Sequence, residues 1–213
     1  MISRINLLLL ALCWLPVSDA LAAGPVDGQA TLNWWANDFD ADVGGGKVDA
    51  GAFGGSVDLW WNDRWGVSGA LYRSDLADSG STGDVDYLSI DAKRRILSVT
   101  ENNFLAAGAG YQQLGFTGGD SHGLRLLVEG RIGLLGAVYA YGQSAWMPVF
   151  DDAGTREDLD ALELEAGLGI SPLPFITLSA GWRRFDLDFS DSATGIARST
   201  SASGPVFEAG VKW

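Results

Sequence analysis

The chain has 213 residues, 47% of them hydrophobic, and 14 Lys+Arg against 27 Asp+Glu give a formal charge of −13. So acidic a chain repels phosphate backbones, which excludes nucleic acid as a partner. A chain both acidic and apolar must keep the two characters apart in space, yet beyond its N-terminal segment no apolar run reaches the ~18 residues of a membrane-spanning helix.

At the N-terminus Arg4 precedes an apolar run from Ile5 to Val17, and small residues follow at Ala20 and Ala22. That is the pattern of a secretory signal peptide over residues 1–22, leaving a single domain over 23–213. Leu12 stands where a lipoprotein signal needs a small residue, so Cys13 is not a lipidation site. Cys13 is also the only cysteine. The mature chain is therefore expected to hold no disulfide and no thiolate for metal or catalysis.

From Gln29 onward the chain alternates with period two. Gln29–Ala36 sets Gln29, Thr31 and Asn33 against Ala30, Leu32 and Trp34. An acidic, Gly-rich loop spans Asn37–Asp49. Gly51–Trp61 then sets Phe53, Val57, Leu59 and Trp61 against Ser56, Asp58 and Trp60. Asn62–Arg64 is a tight polar turn. Trp65–Arg73 and a second acidic loop, Ser74–Asp84, lead to Val85–Arg95, where Leu88, Ile90 and Ala92 oppose Tyr87, Ser89, Asp91, Lys93 and Arg95. Ile96–Asn102 reads as a connection.

Asn103–Phe116 is rich in Gly and Ala, and the loop Thr117–Ser121 leads to His122–Ile132. There Leu124, Leu126, Val128 and Ile132 alternate with Arg125, Leu127, Glu129 and Arg131. Gly133–Gly136 turns into Ala137–Met147, and Pro148–Glu157 is another acidic loop. Asp158–Ile170 sets Leu162, Leu164, Ala166 and Leu168 against Glu163, Glu165, Gly167 and Gly169. The proline turn Ser171–Pro174 precedes Phe175–Phe189. Ser190–Ser203, rich in Ser, Thr and Gly, reads as the longest loop. In the last stretch, Gly204–Trp213, Phe207, Ala209, Val211 and Trp213 share one face, with Glu208 and Lys212 on the other.

This last stretch resembles the closing strand of outer-membrane β-barrels, which ends in an aromatic residue and serves as an assembly signal. The resemblance implies an all-β fold: a closed antiparallel up-and-down transmembrane barrel of about ten strands. An eight-stranded count is the alternative and requires part of Val85–Phe116 to be non-strand. The resemblance places the chain in the outer membrane of a Gram-negative bacterium, with the short turns and both termini in the periplasm and the longer loops outward. It makes Phe207, Ala209, Val211 and Trp213 the assembly signal, read by the barrel-assembly machinery. Outer-membrane lipid and lipopolysaccharide are the other expected partners, and no cofactor is implied.

Alternation alone also suits a soluble lipocalin-like barrel with its apolar face inward. Charge decides between them: Arg125 or Arg131 facing lipid at mid-bilayer would cost about 2–4 kcal/mol each. Facing inward, they join an expected lumen ion-pair network of Asp91, Lys93, Arg95, Arg125, Glu129, Arg131, Glu163 and Glu165, packed with Trp35, Trp60 and Tyr72. Trp34, Trp61, Trp65, Tyr111 and Trp182 are expected as aromatic girdles at the bilayer interfaces. Trp35, Trp60, Tyr72, Tyr87 and Trp146 also lie near strand ends.

Two groups invite chemistry. His122 is the only histidine. Outer-membrane lipid hydrolases pair His with Ser two residues away on a strand, but here residue 124 is Leu and Ser121 is adjacent, hence on the opposite face. Asp38, Asp40, Asp42 and Asp49 have part of the oxygen spacing of a calcium loop without its turn glycine. An acidic surface loop is the default reading and no metal site is expected; these residues, like the second acidic group Asp186, Asp188 and Asp191, are candidates only for bridging divalent cations to lipopolysaccharide phosphates. The expected role is a structural or surface-interaction barrel with a filled or very narrow lumen. The alternatives are a narrow channel or carrier for a small solute and a hydrolase centred on His122.

Overall fold

The computed structural model describes residues 26–41, 48–61, 64–75, 85–100, 102–116, 119–152 and 156–213. The expected signal peptide lies outside them. The alternating stretches form ten strands: β1 (Val26–Ala41), β2 (Val48–Trp61), β3 (Trp65–Asp75), β4 (Val85–Thr100), β5 (Asn103–Phe116), β6 (Gly119–Leu135), β7 (Val138–Met147), β8 (Arg156–Leu173), β9 (Ile176–Asp191) and β10 (Ile196–Lys212). Each pairs antiparallel with its sequence neighbours, and β1 pairs with β10, so the sheet closes on itself. Closure bonds the backbone around a ring with no free edge, which is what a sheet in hydrocarbon requires.

The register fixes the tilt. Following paired residues from Trp34 through Phe53, Arg73, Asp86 and Gly115 arrives at Asp120 on β6. The opposite route, through Phe207, Ala180, Leu168 and Ala140, arrives at Ile132 on the same strand. The stagger is thus the twelve residues from Asp120 to Ile132. With ten strands, that stagger tilts them by about 40° and advances each residue roughly 2.5 Å along the axis.

Ten strands rule out the eight-strand alternative: Val85–Phe116 is strand apart from the turn between Thr100 and Asn103. Four of the expected connections are corrected. Asn37–Asp49 shrinks to 42–47, because β1 runs to Ala41 and β2 begins at Val48. Ile96–Asn102 is mostly the end of β4, where register shifts between Arg95/Leu97 and Ser98/Thr100 break the alternation. Ser190–Ser203 is not a loop: β9 and β10 continue through it to a turn at 192–195, where Gly195 has φ 65°. Its Ser- and Thr-rich composition hid two strands standing clear of the apolar zone. Thr117–Ser121 is likewise shorter than expected, because β6 begins at Gly119.

One end of the barrel carries Val26, Trp213 and the turns after β2, β4, β6 and β8; the other carries the connections 42–47, 76–84, 117–118, 148–155 and 192–195. We call them the terminal end and the loop end. Leu32, Trp34, Ile90, Val128, Leu164 and Leu168 are exposed on the outer surface, while Gln112, Arg125 and Glu163 are buried inside. The inward-apolar arrangement of a soluble barrel is therefore reversed. On β3 the outer face runs Trp65, Val67, Leu71, Arg73, from an aromatic at the terminal end to a charge near the loop end. Those eight residue steps cover roughly 20 Å of axis, close to the ~25 Å apolar band of a transmembrane barrel.

Candidate functional site

The lumen is layered. At the loop end it is filled by Leu114, Leu127, Met147, Phe150, Leu159 and Leu187, with Phe185 and Phe189 packed against them. The segment after β7 turns back into the mouth. Phe150 donates its amide to the Leu159 carbonyl at 3.1 Å, and Asp151 donates to the His122 carbonyl at 2.8 Å. Ser121, fully buried, donates its hydroxyl to the Asp151 carbonyl. Gly123 leaves room for the Phe150 ring, which a Cβ there would strike. A second apolar group, Trp35, Ala52, Ala202 and Val206, fills the opposite wall.

Below this plug lies a layer of ion pairs. Arg125 Nη1 donates to Glu163 Oε2 at 2.7 Å, to Tyr87 Oη at 2.6 Å and to Gln112 Oε1 at 3.0 Å. Its Nε donates to Asp91 at 3.2 Å. Arg183 Nε donates to Glu165 at 2.7 Å, and its Nη2 donates to Tyr72 Oη at 2.8 Å. Glu163 also lies 3.7 Å from Arg183, so it ties the two arginines together. The side chains of Arg125 and Glu163 are 2% and 3% exposed. Buried charges are tolerable only when paired and hydrogen-bonded in this way.

Nearer the terminal end the lumen opens into a cavity of about 140 Å³. Lys93 Nζ spans part of it, donating to Asp58 at 3.0 Å and to Glu129 at 2.8 Å. Arg95 stacks on Trp60 at 4.2 Å and Phe104 at 4.6 Å, and Arg131 stacks on Tyr139 at 4.4 Å. Tyr141 reaches across Gly167 and Gly181: a Cβ on Gly167 would meet its ring edge at 2.8 Å, and a Cβ on Gly181 its hydroxyl at 2.7 Å. A second space of about 30 Å³ follows toward the terminal mouth, sharing Asp58, Phe104 and Arg131 with the first.

The structure thus brings Asp91, Arg125, Glu163 and Glu165 into one layer and Lys93 and Glu129 into the next. Arg95 and Arg131 lie beyond, stacked on rings. Sequence reasoning missed Arg183 and Tyr141 as lumen residues and the apolar plug entirely. The parity of Leu178, Ala180 and Trp182 on β9 was enough to place Arg183 inward. No pattern signalled Phe150, which reaches the lumen from a connecting segment.

Trp34, Trp61, Trp65, Tyr111 and Trp182 are all exposed on the outer surface, with Trp34 stacked on Phe207 at 5.7 Å. Trp35, Trp60, Tyr72 and Tyr87 instead face the lumen, although they too lie near strand ends. His122 sits on β6, stacked on Tyr111, whose Oη is 2.6 Å from its Nδ1. Ser121 points the opposite way, into the plug.

Of the acidic candidates, Asp38 is exposed on β1 and pairs in register with Asp49. Asp42 and the side chains of Asp40 and Asp49 lie outside the described residues. Asp186 is held by Arg184 at 2.8 Å. Asp191 stands at the tip of β9, beyond the apolar band. Slight desolvation pushes its carboxyl up, but the Thr194 hydroxyl, the amides of Thr194 and Ala193, and Arg198 hold it below the ordinary aspartate value.

A closed antiparallel barrel with an apolar outer belt, aromatic rims and an ionic interior defines a transmembrane β-barrel. The model of the outer membrane protein beta-barrel domain family matches residues 6–213, and the chain belongs to that family. No curated protein matches in sequence. Among solved structures, the outer membrane protease OmpT of Escherichia coli superposes with a TM-score of 0.53 at 12% identity, over 89% of this chain and 93% of that one. Neisserial surface protein A is matched at 16% identity over 89% and 98% of the two chains, with a TM-score of 0.37. Ail, the attachment invasion locus protein of Yersinia pestis, is matched at 12% identity over 89% and 100%, with a TM-score of 0.36. At these identities the OmpT likeness speaks for the fold alone.

Proposed function

We propose that this chain is a sealed outer-membrane barrel with a structural or surface-interaction role and no catalytic or general-diffusion activity. The observation that carries it is the double closure of the lumen. The Arg125–Glu163–Arg183 layer and the apolar plug around Phe150 block the axis one above the other. Opening either alone leaves the other in place.

In this reading the terminal end faces the periplasm and the loop end faces outward. The outer face near the loop end, above Trp34, Tyr111 and Trp182, bears Arg73, Asp86, Arg184, Asp186 and Asp188. These charges suit contact with lipopolysaccharide head groups, directly or through divalent cations at the acidic loops. Phe207, Ala209, Val211 and Trp213 present a continuous apolar row for the assembly machinery. Against a hydrolase stands the geometry of His122, whose ring is taken up by Tyr111 and whose neighbour Ser121 faces away. Single-channel recording in planar bilayers tests the proposal. Insertions without conductance steps are expected, and open steps in most insertions favour the channel reading instead.

A further inference from the structure

One cation stands inside the apolar belt. Arg94, on β4, is exposed on the outer face, where its register partners are Trp65 on β3 and Ala107 on β5. Ala92 and Ile96 flank it along its own strand. Among the described residues no carboxylate pairs with it, and every other charge on the outer face of a strand lies near the loop end, as Arg73, Asp86 and Arg184 do.

The Arg94 guanidinium lies over the Trp65 ring, 5.2 Å from its centroid. Strand tilt sets the Arg94 backbone roughly 3 Å deeper in the belt than that of Trp65, so the side chain leans back toward the terminal rim. A cation on the lipid face avoids hydrocarbon by such snorkelling. The indole engages the charge but accepts no conventional hydrogen bond. The guanidinium thus keeps its donor fork, which matches two oxygens of a phosphodiester. Arg64, exposed in the adjoining turn, adds positive potential at the same corner. Its amide donates to the Trp61 carbonyl at 3.1 Å and its carbonyl accepts the Arg95 amide at 2.8 Å, which fixes the turn beside β4.

Toward mid-bilayer from Arg94 the surface is low. Ala92, Ala107 and Ala109 occupy β4 and β5 there, between Val67 on β3 and Leu126 and Val128 on β6. Those three flanking side chains are exposed and wall a shallow trough two strands, about 10 Å, across. A charged fork at the rim and a methyl-lined trough leading inward from it match the two halves of one phospholipid.

We propose that Arg94 and Trp65 hold one anionic phospholipid in the leaflet at the terminal end, with its phosphate on the guanidinium and an acyl chain along Ala92, Ala107 and Ala109. Charge complementarity selects this occupant. A phosphatidylcholine carries its own cation, which Arg64 repels, whereas a phosphatidylglycerol carries none. A second copy of this chain would bring an apolar face against the trough and leave Arg94 without an anion, because the carboxylates of the outer face lie near the loop end.

The test is native mass spectrometry of the purified barrel, released from detergent micelles that hold equal amounts of dioleoyl phosphatidylglycerol and dioleoyl phosphatidylcholine. One phosphatidylglycerol is expected to stay bound, preferred over phosphatidylcholine by about fivefold. Arg94→Gln is expected to abolish the preference, Trp65→Leu to lower it at least twofold, and Arg73→Gln near the loop end to leave it unchanged. Retention of the folded gel mobility qualifies each variant, and Trp65→Leu keeps the test decisive if Arg94→Gln does not fold. The proposal is overturned by equal retention of the two lipids, or by a preference that survives Arg94→Gln or Trp65→Leu in full. It is also overturned by a preference that Arg73→Gln removes, by displacement of the lipid with excess inorganic phosphate, or by dimers that form in place of the lipid-bound monomer. None of these outcomes bears on whether the lumen conducts, because the site lies wholly on the outside of the barrel.

Discussion

Trp213 and Gly28 close the barrel seam as a pair. The Gly28 amide donates to the Trp213 carbonyl at 3.0 Å, and the Trp213 amide donates to the Gly28 carbonyl at 3.1 Å. The indole lies directly over the glycine, in the space a Cβ would take. Gly28→Leu must push the indole away, and overpacking of this kind costs about 1–3 kcal/mol. Denaturant unfolding in lipid vesicles is expected to show that loss, and Trp213→Ala in the same chain is expected to cancel most of the clash. Equal stability of Gly28→Leu and the parent would mean the indole does not pack there.

Arg125 and Glu163 are coupled. Removing one partner of a buried pair strands the other and costs about 3–5 kcal/mol. Arg125→Gln is therefore expected to destabilise strongly, and so is Glu163→Gln. The double variant is expected to be less destabilised than the sum of the two. A double-mutant cycle by urea unfolding reads the coupling directly, and strict additivity would mean the two residues do not interact.

Phe150 is the plug residue that comes from a connecting segment. Phe150→Ala leaves a void among Leu114, Met147 and Leu159 and is expected to cost about 3–5 kcal/mol. The ion-pair layer remains, so this variant alone is expected to stay electrically silent. Conductance from Phe150→Ala by itself would show that the Arg125–Glu163–Arg183 layer is leaky.

Strand number, closure and the outer face were legible because alternation survives wherever one face meets lipid and the other the lumen. Leu162, Leu164 and Leu168 against Glu163 and Glu165 show it plainly. The pattern failed where both faces are polar. On β10, Ser199, Ser201 and Ser203 face outward above the apolar band, while inward Thr200 and Ala202 have little contrast with them, so two strands looked like a loop. It failed again inside the barrel, because a plug needs apolar residues on the inner face. Leu127 sits among Arg125, Glu129 and Arg131 in sequence yet packs with Met147 and Phe150.

Asp191 gives the loop end a pH response. Its carboxylate accepts from the Ala193 amide at 3.0 Å, the Thr194 amide at 3.1 Å and the Thr194 hydroxyl at 3.1 Å. Because its folded pKa is depressed, the turn gains order above the unfolded aspartate pKa of about 3.9, and that order is lost as pH falls through the folded value. Hydrogen exchange at the Ala193 and Thr194 amides, corrected for intrinsic rates, is expected to lose protection over that acidic range, and Asp191→Asn is expected to remove the dependence. A pH-independent protection in the parent would contradict the assignment.

The central claim is that Leu164 meets hydrocarbon while Ser68, on the opposite face of the sheet, looks into the lumen. Single nitroxide labels at Leu164→Cys and Ser68→Cys, in residues 23–213 refolded into lipid vesicles, read this directly through collision with oxygen and with a water-soluble nickel complex. The account predicts high oxygen and low nickel accessibility at Leu164, and low oxygen accessibility at Ser68. The reverse order, with Leu164 shielded from oxygen and Ser68 facing lipid, would contradict it.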